Sequence, residues 1–136
     1  MDAIVTRARS PQPWPQIFIF SEGTTTNGQA LVRFQTGGFK PGVPVQPVTI
    51  RYSRPDLTTW TRNQDHRFIH SILLIMANPV NTITMEFLPV YHPSEPEKEN
   101  SVLFAQNVQR LMAASLGVPA TDIQRSEFVL ESKKES

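Results

Sequence analysis

The sequence predicts an α/β fold, a partial sheet of about three or four strands with flanking helices. Three observations predict it. Strand-forming runs alternate with runs that carry apolar residues at helical spacing, in the order strand, loop, strand, helix, strand, helix. The first run, QIFIF at residues 16–20, is so continuously apolar that it reads as a strand covered on both faces, which demands neighbours beside it. Five of the six glycines fall within residues 21–44, which concentrates irregular backbone in one loop and leaves the rest of the chain to regular elements.

Taken in order, residues 3–9 (AIVTRAR) predict a short amphipathic helix, ended by the proline-rich SPQPWP because proline supplies no amide donor. Strand 16–20 comes next, then the glycine-rich loop, in which Leu31, Val32 and Phe34 form an apolar patch. Residues 45–52 (VQPVTIRY) predict the second strand, pairing from Val48 onward because Pro47 cannot donate to a ladder. Residues 63–78 predict a helix whose stripe of Phe68, Ile69, Ile72, Leu73 and Met76 packs on the sheet, stopped by Pro79. Residues 80–90 alternate apolar and polar side chains, a third strand with one better-buried face. Ser94, Pro96 and Glu97 form a capping-box signature. The helix it opens carries Val102, Ala105, Val108, Leu111, Met112 and Leu116 as its stripe and ends at Gly117 and Pro119. Residues 1–119 therefore read as one partial domain and residues 120–136 as a polar, flexible tail.

Composition narrows the function. Thirteen Lys and Arg against twelve Asp and Glu leave a net charge of +1 in 136 residues, with no dense basic cluster interleaved with aromatics, so nucleic-acid binding has no support. The absence of cysteine removes disulfides, thiolate nucleophiles and cysteine-based zinc sites together. No D-x-[DN]-x-[DN]-G calcium loop occurs, and no metal is expected. The N-terminus lacks the pattern of a secretory signal, and the most apolar run, residues 68–77, is well short of the ~20 residues that span a bilayer. Any membrane contact is then peripheral or through another segment.

Chemistry is expected where strand 16–20 ends, since ligands of open α/β sheets sit beyond the carboxyl ends of strands. Glu22, Gly23 and Thr24 stand there, with Thr25 and Thr26 after them. The carboxylate suits orientation of an alcohol or a cation, Gly23 permits close backbone approach, and the threonines offer hydroxyls and amides to a phosphate. Taken alone, three such residues equally describe a polar turn capping a helix.

The longer context adds to this. Residues 14–52, WPQIFIFSEGTTTNGQALVRFQTGGFKPGVPVQPVTIRY, resemble the glycerophospholipid acyltransferase family and, within it, the lysophosphatidylcholine acyltransferase branch. The family's F-P-E-G-T corresponds to Phe20-Ser21-Glu22-Gly23-Thr24, its G-A-F to Gly37-Gly38-Phe39, and its P-V-x-P-V to Pro44-Val45-Gln46-Pro47-Val48. The likeness continues through Thr59-Trp60-Thr61, Glu86-Phe87-Leu88-Pro89-Val90 and Leu103-Phe104-Ala105 to Leu116-Gly117-Val118-Pro119. The resemblance implies transfer of an acyl group from acyl-CoA, as co-substrate and with no bound cofactor, to a lysophospholipid. It implies that Glu22, Gly23, Thr24 and Thr25 bind the phosphoglycerol acceptor and that Pro44, Val45, Pro47 and Val48 shape the acyl-donor site. It also implies work at the cytosolic face of the endoplasmic reticulum membrane, with which Lys133-Lys134, a two-lysine retrieval pattern near the C-terminus, agrees.

Two departures stand out. Ser21 replaces the usual proline, which loosens the turn and leaves acceptor specificity open. The family's catalytic HxxxxD is missing: five positions after His66, His70 and His92 stand Ser71, Ile75 and Glu97. The expectation is therefore a C-terminal half of an acyltransferase domain that keeps the acceptor-binding motif and is inactive alone, because nothing in it takes the acceptor's proton. The alternative is a non-catalytic module that binds phospholipid or pairs with an acyltransferase. Arg33, Lys40, Arg51 and Arg54 are candidates to neutralise lipid or CoA phosphates, against the simpler reading of solvated surface charges.

Overall fold

The computed structural model describes residues 2–24, 26, 28–53, 73, 76, 77, 80 and 82–124. Among them three helices, α1 (Asp2–Arg9), α2 (Glu95–Glu99) and α3 (Ser101–Leu116), accompany one antiparallel pair of strands, β1 (Val48–Tyr52) and β2 (Ile83–Phe87). The small α/β arrangement agrees with expectation, but the described sheet has two strands instead of three or four.

The missing strand is the one predicted at residues 16–20. This segment is extended and exposed, with Phe18 61 % and Phe20 74 % accessible and their rings in edge contact at 5.4 Å. No backbone–backbone hydrogen bond joins Ile17, Phe18 or Ile19 to another described segment. A strand exists only where a neighbour accepts its ladder, and none is present among the described residues. Ile19 lies over Gly38, where an added Cβ would come within 3.2 Å of its Cδ1.

β1 begins at Val48, as Pro47 requires. It runs in the register Val48↔Phe87, Ile50↔Met85 and Tyr52↔Ile83. Beyond that ladder Leu88 donates its amide to the Pro47 carbonyl, and Val45 and Tyr91 then exchange both amides at 3.0 and 2.8 Å. Between these contacts the pairing slips by one residue, a bulge at the place where Pro47 and Pro89 remove donors. β2 is shorter than the predicted 80–90.

The expected single helix after Ser94 is two. α2 stops at Asn100, which leaves helical conformation at φ −117°, ψ 91° and caps α3 by accepting from the amides of Val102 and Leu103. α3 ends as predicted: Gly117 adopts φ 69°, and Val118 donates back to the Ala113 carbonyl at 3.1 Å.

The core lies between α3 and the loop, away from the sheet's apolar side. Leu31, Phe34 and Phe39 from the loop meet Phe104, Ala105, Val108 and Ala113 of α3, with Val45, Tyr91 and Met112 at the margin. Phe104 is completely buried, edge-on to Phe39 at 5.1 Å and stacked on Tyr91 at 5.7 Å. The start of the predicted flexible tail is tied to this unit. Leu31 donates to Pro119, Thr121 to Leu31, and Arg33 to Ile123, a parallel pairing at 2.9–3.1 Å. Most of the predicted helix 63–78 lies outside the described residues; Leu73 and Met76, two of its stripe, are exposed.

Candidate functional site

Residues 20–24 form a turn in which Gly23 takes φ 65° and donates to the Phe20 carbonyl at 3.2 Å. That left-handed backbone is costly for any residue with a Cβ, so glycine is what the turn requires here. The turn is fixed to the loop by Gln35, which donates to Ser21 at 2.7 Å. Glu22 and Thr24 are half-buried beside it, and Thr25 lies outside the described residues.

Burial pushes the Glu22 carboxyl above its ordinary value, while hydrogen bonding from the Val32 backbone and the Thr26 side chain acts in the opposite direction. Its Oε2 is buried with no hydrogen-bond partner among the described residues. An unsatisfied carboxylate oxygen is costly, and native structures rarely retain one without a use. The oxygen is suited to receive a hydroxyl or amide proton from a ligand, or to carry its own proton and donate it.

The P-V-x-P-V block occupies the irregular end of the antiparallel pair, leading into β1. Pro47 is buried, Val45 and Val48 are half-buried, and Pro44 is exposed. These four succeed one another along an extended stretch, with Val45 bonded to Tyr91. Thr49 next to them is buried, and its Oγ1 also lacks a partner.

Other candidates resolve differently. His92 is exposed, and Glu97, five positions on, is engaged elsewhere. Glu97 is 3 % accessible and accepts from the Ser94 amide at 2.7 Å, the Ser94 hydroxyl at 2.6 Å, the Tyr91 hydroxyl at 2.6 Å and the Asn107 amide at 2.8 Å. Burial alone would raise its carboxyl, but these four donors hold it down at about 2. It is a structural anion. His66, His70 and Arg54 lie outside the described residues. Arg51 donates to the Ser115 carbonyl at 2.6 Å, so its charge serves the end of α3. Lys40 is exposed and Arg33 half-buried.

Sequence reasoning missed three polar residues. Tyr91 and Asn107 complete the Glu97 cluster, and nothing in their spacing announces it. Gln109 is buried and donates through Nε2 to the carbonyls of Leu31, Val32 and Thr121 at 2.9–3.1 Å, clamping α3 to both segments of the parallel pair. Its signal was available: it stands four after Ala105, on the apolar stripe. Among the described residues there is no cluster of groups that could hold a metal ion and no helix long and apolar enough to cross a membrane.

A loop-and-helix unit presenting a Glu-Gly-Thr turn defines a class by its motif, and comparison with characterised proteins supplies the family. The chain is 44% identical over 131 residues to the lysophosphatidylcholine acyltransferase of Drosophila melanogaster, covering 96% of this chain and 24% of that protein. It is 49% identical over 123 residues to lysophosphatidylcholine acyltransferase 1 of Rattus norvegicus, covering 90% of this chain and 23% of the relative. Human lysophospholipid acyltransferase LPCAT4 matches at 43% over 125 residues, 91% of this chain and 24% of the relative. By homology the chain is thus a lysophosphatidylcholine acyltransferase family fragment, spanning about a quarter of the length of the relatives it matches. No family model matches the chain, and no solved structure matches it.

Proposed function

We propose that the chain is the acceptor-binding portion of an acyl-CoA-dependent lysophospholipid acyltransferase of the lysophosphatidylcholine type. The observation that carries the reading is the half-buried Glu22, whose Oε2 has no partner among the described residues, set at a glycine turn within the motif that carries the resemblance to that family. In the proposed reaction the acceptor's free hydroxyl oxygen attacks the thioester carbonyl carbon of acyl-CoA. An ester C–O bond forms, the C–S bond breaks, the hydroxyl proton passes to a base, and coenzyme A leaves as the thiol. Glu22 orients the phosphoglycerol acceptor through Oε2, Gly23 allows close backbone approach, and the threonines of the motif, Thr24 and Thr25, are assigned to its phosphate. Pro44, Val45, Pro47 and Val48 border the acyl donor. This chain has no HxxxxD, so the base is not supplied by it and the isolated chain does not turn over. Work at the cytosolic face of the endoplasmic reticulum membrane belongs to the same reading.

Binding and turnover are tested separately. Purified chain titrated with lysophosphatidylcholine, monitored by intrinsic tryptophan fluorescence and calorimetry, is expected to bind. Glu22→Ala is expected to weaken that binding at least tenfold with the circular dichroism spectrum unchanged. Equal binding by the variant, or acyl transfer by the isolated chain above a heat-killed control, overturns the reading.

A further inference from the structure

The stretch after α1 carries a hydroxyl that no role assigned above uses. The chain reads Arg7-Ala8-Arg9-Ser10-Pro11 there, and of its twelve prolines Pro11 is the only one preceded by a serine or threonine. α1 ends at Arg9, and the Ser10 amide closes the last turn by donating to the Arg7 carbonyl at 3.3 Å. Ser10 Oγ accepts from the Gln12 amide at 3.2 Å, an exposed contact between near neighbours. Residues 11–20 belong to no helix or strand and are all exposed. Both arginines have weak partners close by. The Arg7 guanidinium lies 5.0 Å above the centre of the Trp14 ring, and Arg9 donates through Nε to the Pro41 carbonyl at 3.0 Å. The Arg9 bond is a tether from α1 to the loop that leads into the P-V-x-P-V block.

We propose that Ser10 is a phosphorylation site for a proline-directed protein kinase, and that its phosphate draws Arg9 off the Pro41 carbonyl and releases α1 from the loop. Three features suit the segment to a kinase. Its backbone is irregular and exposed from Pro11 onward, so it can lie in a cleft without unfolding a regular element. Pro11 has no amide proton, so a kinase pocket that offers no acceptor at that position takes it without loss. Ser10 Oγ gives up one exposed contact when it reacts. In the transfer, Oγ attacks the γ-phosphorus of ATP and a P–O bond forms. The bond from that phosphorus to the β,γ-bridging oxygen breaks, ADP leaves, and the hydroxyl proton passes to the base of the kinase. The product adds a charge of about −2 next to Arg9. A neutral carbonyl and a dianion then compete for one guanidinium, and the charge-assisted bond is roughly twice as strong. The phosphate also stands just beyond the C-terminus of α1, where negative charge opposes the helix dipole. Both effects loosen α1. Neither depends on the acyltransferase reading.

The test uses the full chain, ATP and a purified kinase of the cyclin-dependent class. Tandem mass spectrometry reads the site, and hydrogen–deuterium exchange reads α1. One phosphate on Ser10 is expected, absent from S10A and strongly reduced in P11A, with the circular dichroism of both variants unchanged. Exchange across residues 2–9 is expected to rise about fivefold on phosphorylation. R9A removes the tether without a phosphate, so its exchange is expected to be raised already and to rise less when Ser10 is modified. No phosphate on Ser10, under conditions in which the kinase modifies a control peptide, overturns the proposal. Equal incorporation into P11A overturns it too, since the arginines and not the proline would then direct the kinase. Phosphorylated chain that exchanges like unmodified chain overturns the release of α1, as does a full fivefold further rise in R9A, because the effect would then bypass Arg9.

Discussion

At the scale of single residues, two carboxylates in one small unit have opposite environments. Glu22 is raised by burial with one oxygen unsatisfied, and Glu97 is lowered to about 2 by four donors despite being more deeply buried. The difference is in hydrogen bonds and not in exposure, and it separates a carboxylate left partly unsatisfied from one that holds structure. Replacing Glu97 by Gln is expected to cost about 2–3 kcal/mol at neutral pH, since four donors lose a charged acceptor and the new amide faces the Ser94 N–H. The direction of the shift sets the pH dependence. With the folded pKa below the ordinary 4.5, the stabilisation is complete above that value and is lost as pH falls through it toward about 2. Denaturant melts between pH 6 and pH 2 should show this acid loss in the unaltered chain and a flatter profile in Glu97→Gln. The capping-box half of the cluster was legible, because Ser94 and Glu97 lie three apart. Tyr91 and Asn107 were not, because their approach depends on how the strand end and α3 are packed.

At the scale of elements, sequence signals located helix ends better than helix continuity. Gly117 stops α3 as its position implied, and Pro47 delays β1 by the residues that a missing donor dictates. The break at Asn100 was overlooked because its neighbours Glu99 and Ser101 fit a helix as well as a cap does. Asn100 accepts from two α3 amides that would otherwise lack partners, so Asn100→Ala is expected to destabilise the chain by about 1 kcal/mol and reduce helical circular dichroism at 222 nm. An unchanged melting midpoint would mean that α2 and α3 simply merge. The strand prediction at residues 16–20 failed for a different reason. Its apolar composition is a demand for neighbours, and composition cannot supply them.

At the scale of the whole molecule, the packing is divided. One compact core joins the loop to α3 through Leu31, Phe34, Phe39, Phe104 and Val108, and Gln109 ties both flanking segments to the helix. Removing the centre of that core by Phe104→Ala is expected to cost about 3–5 kcal/mol, since Phe39 and Tyr91 lose their ring contacts around a cavity. A cooperative thermal melt that shifts by only a degree or two would show the core to be elsewhere. Against this core the ribbon turns its polar side inward, and the segment 16–20 and the ribbon residues Ile83, Met85 and Phe87 are exposed. The family resemblance read from the Glu-Gly-Thr and P-V-x-P-V blocks agrees with the relatives found.

The sequence by itself determined the family, the glycine at the Glu22–Thr24 turn, the start of β1 and the end of α3, because each depends on local chemistry: a motif, a positive φ, a donor absent. Only the tertiary structure decided that Glu22 keeps an oxygen unsatisfied, that Glu97 is committed to four donors, and that the sheet's apolar face points away from the core. Those outcomes depend on which surfaces meet, and periodicity says that a face is apolar without saying what lies against it.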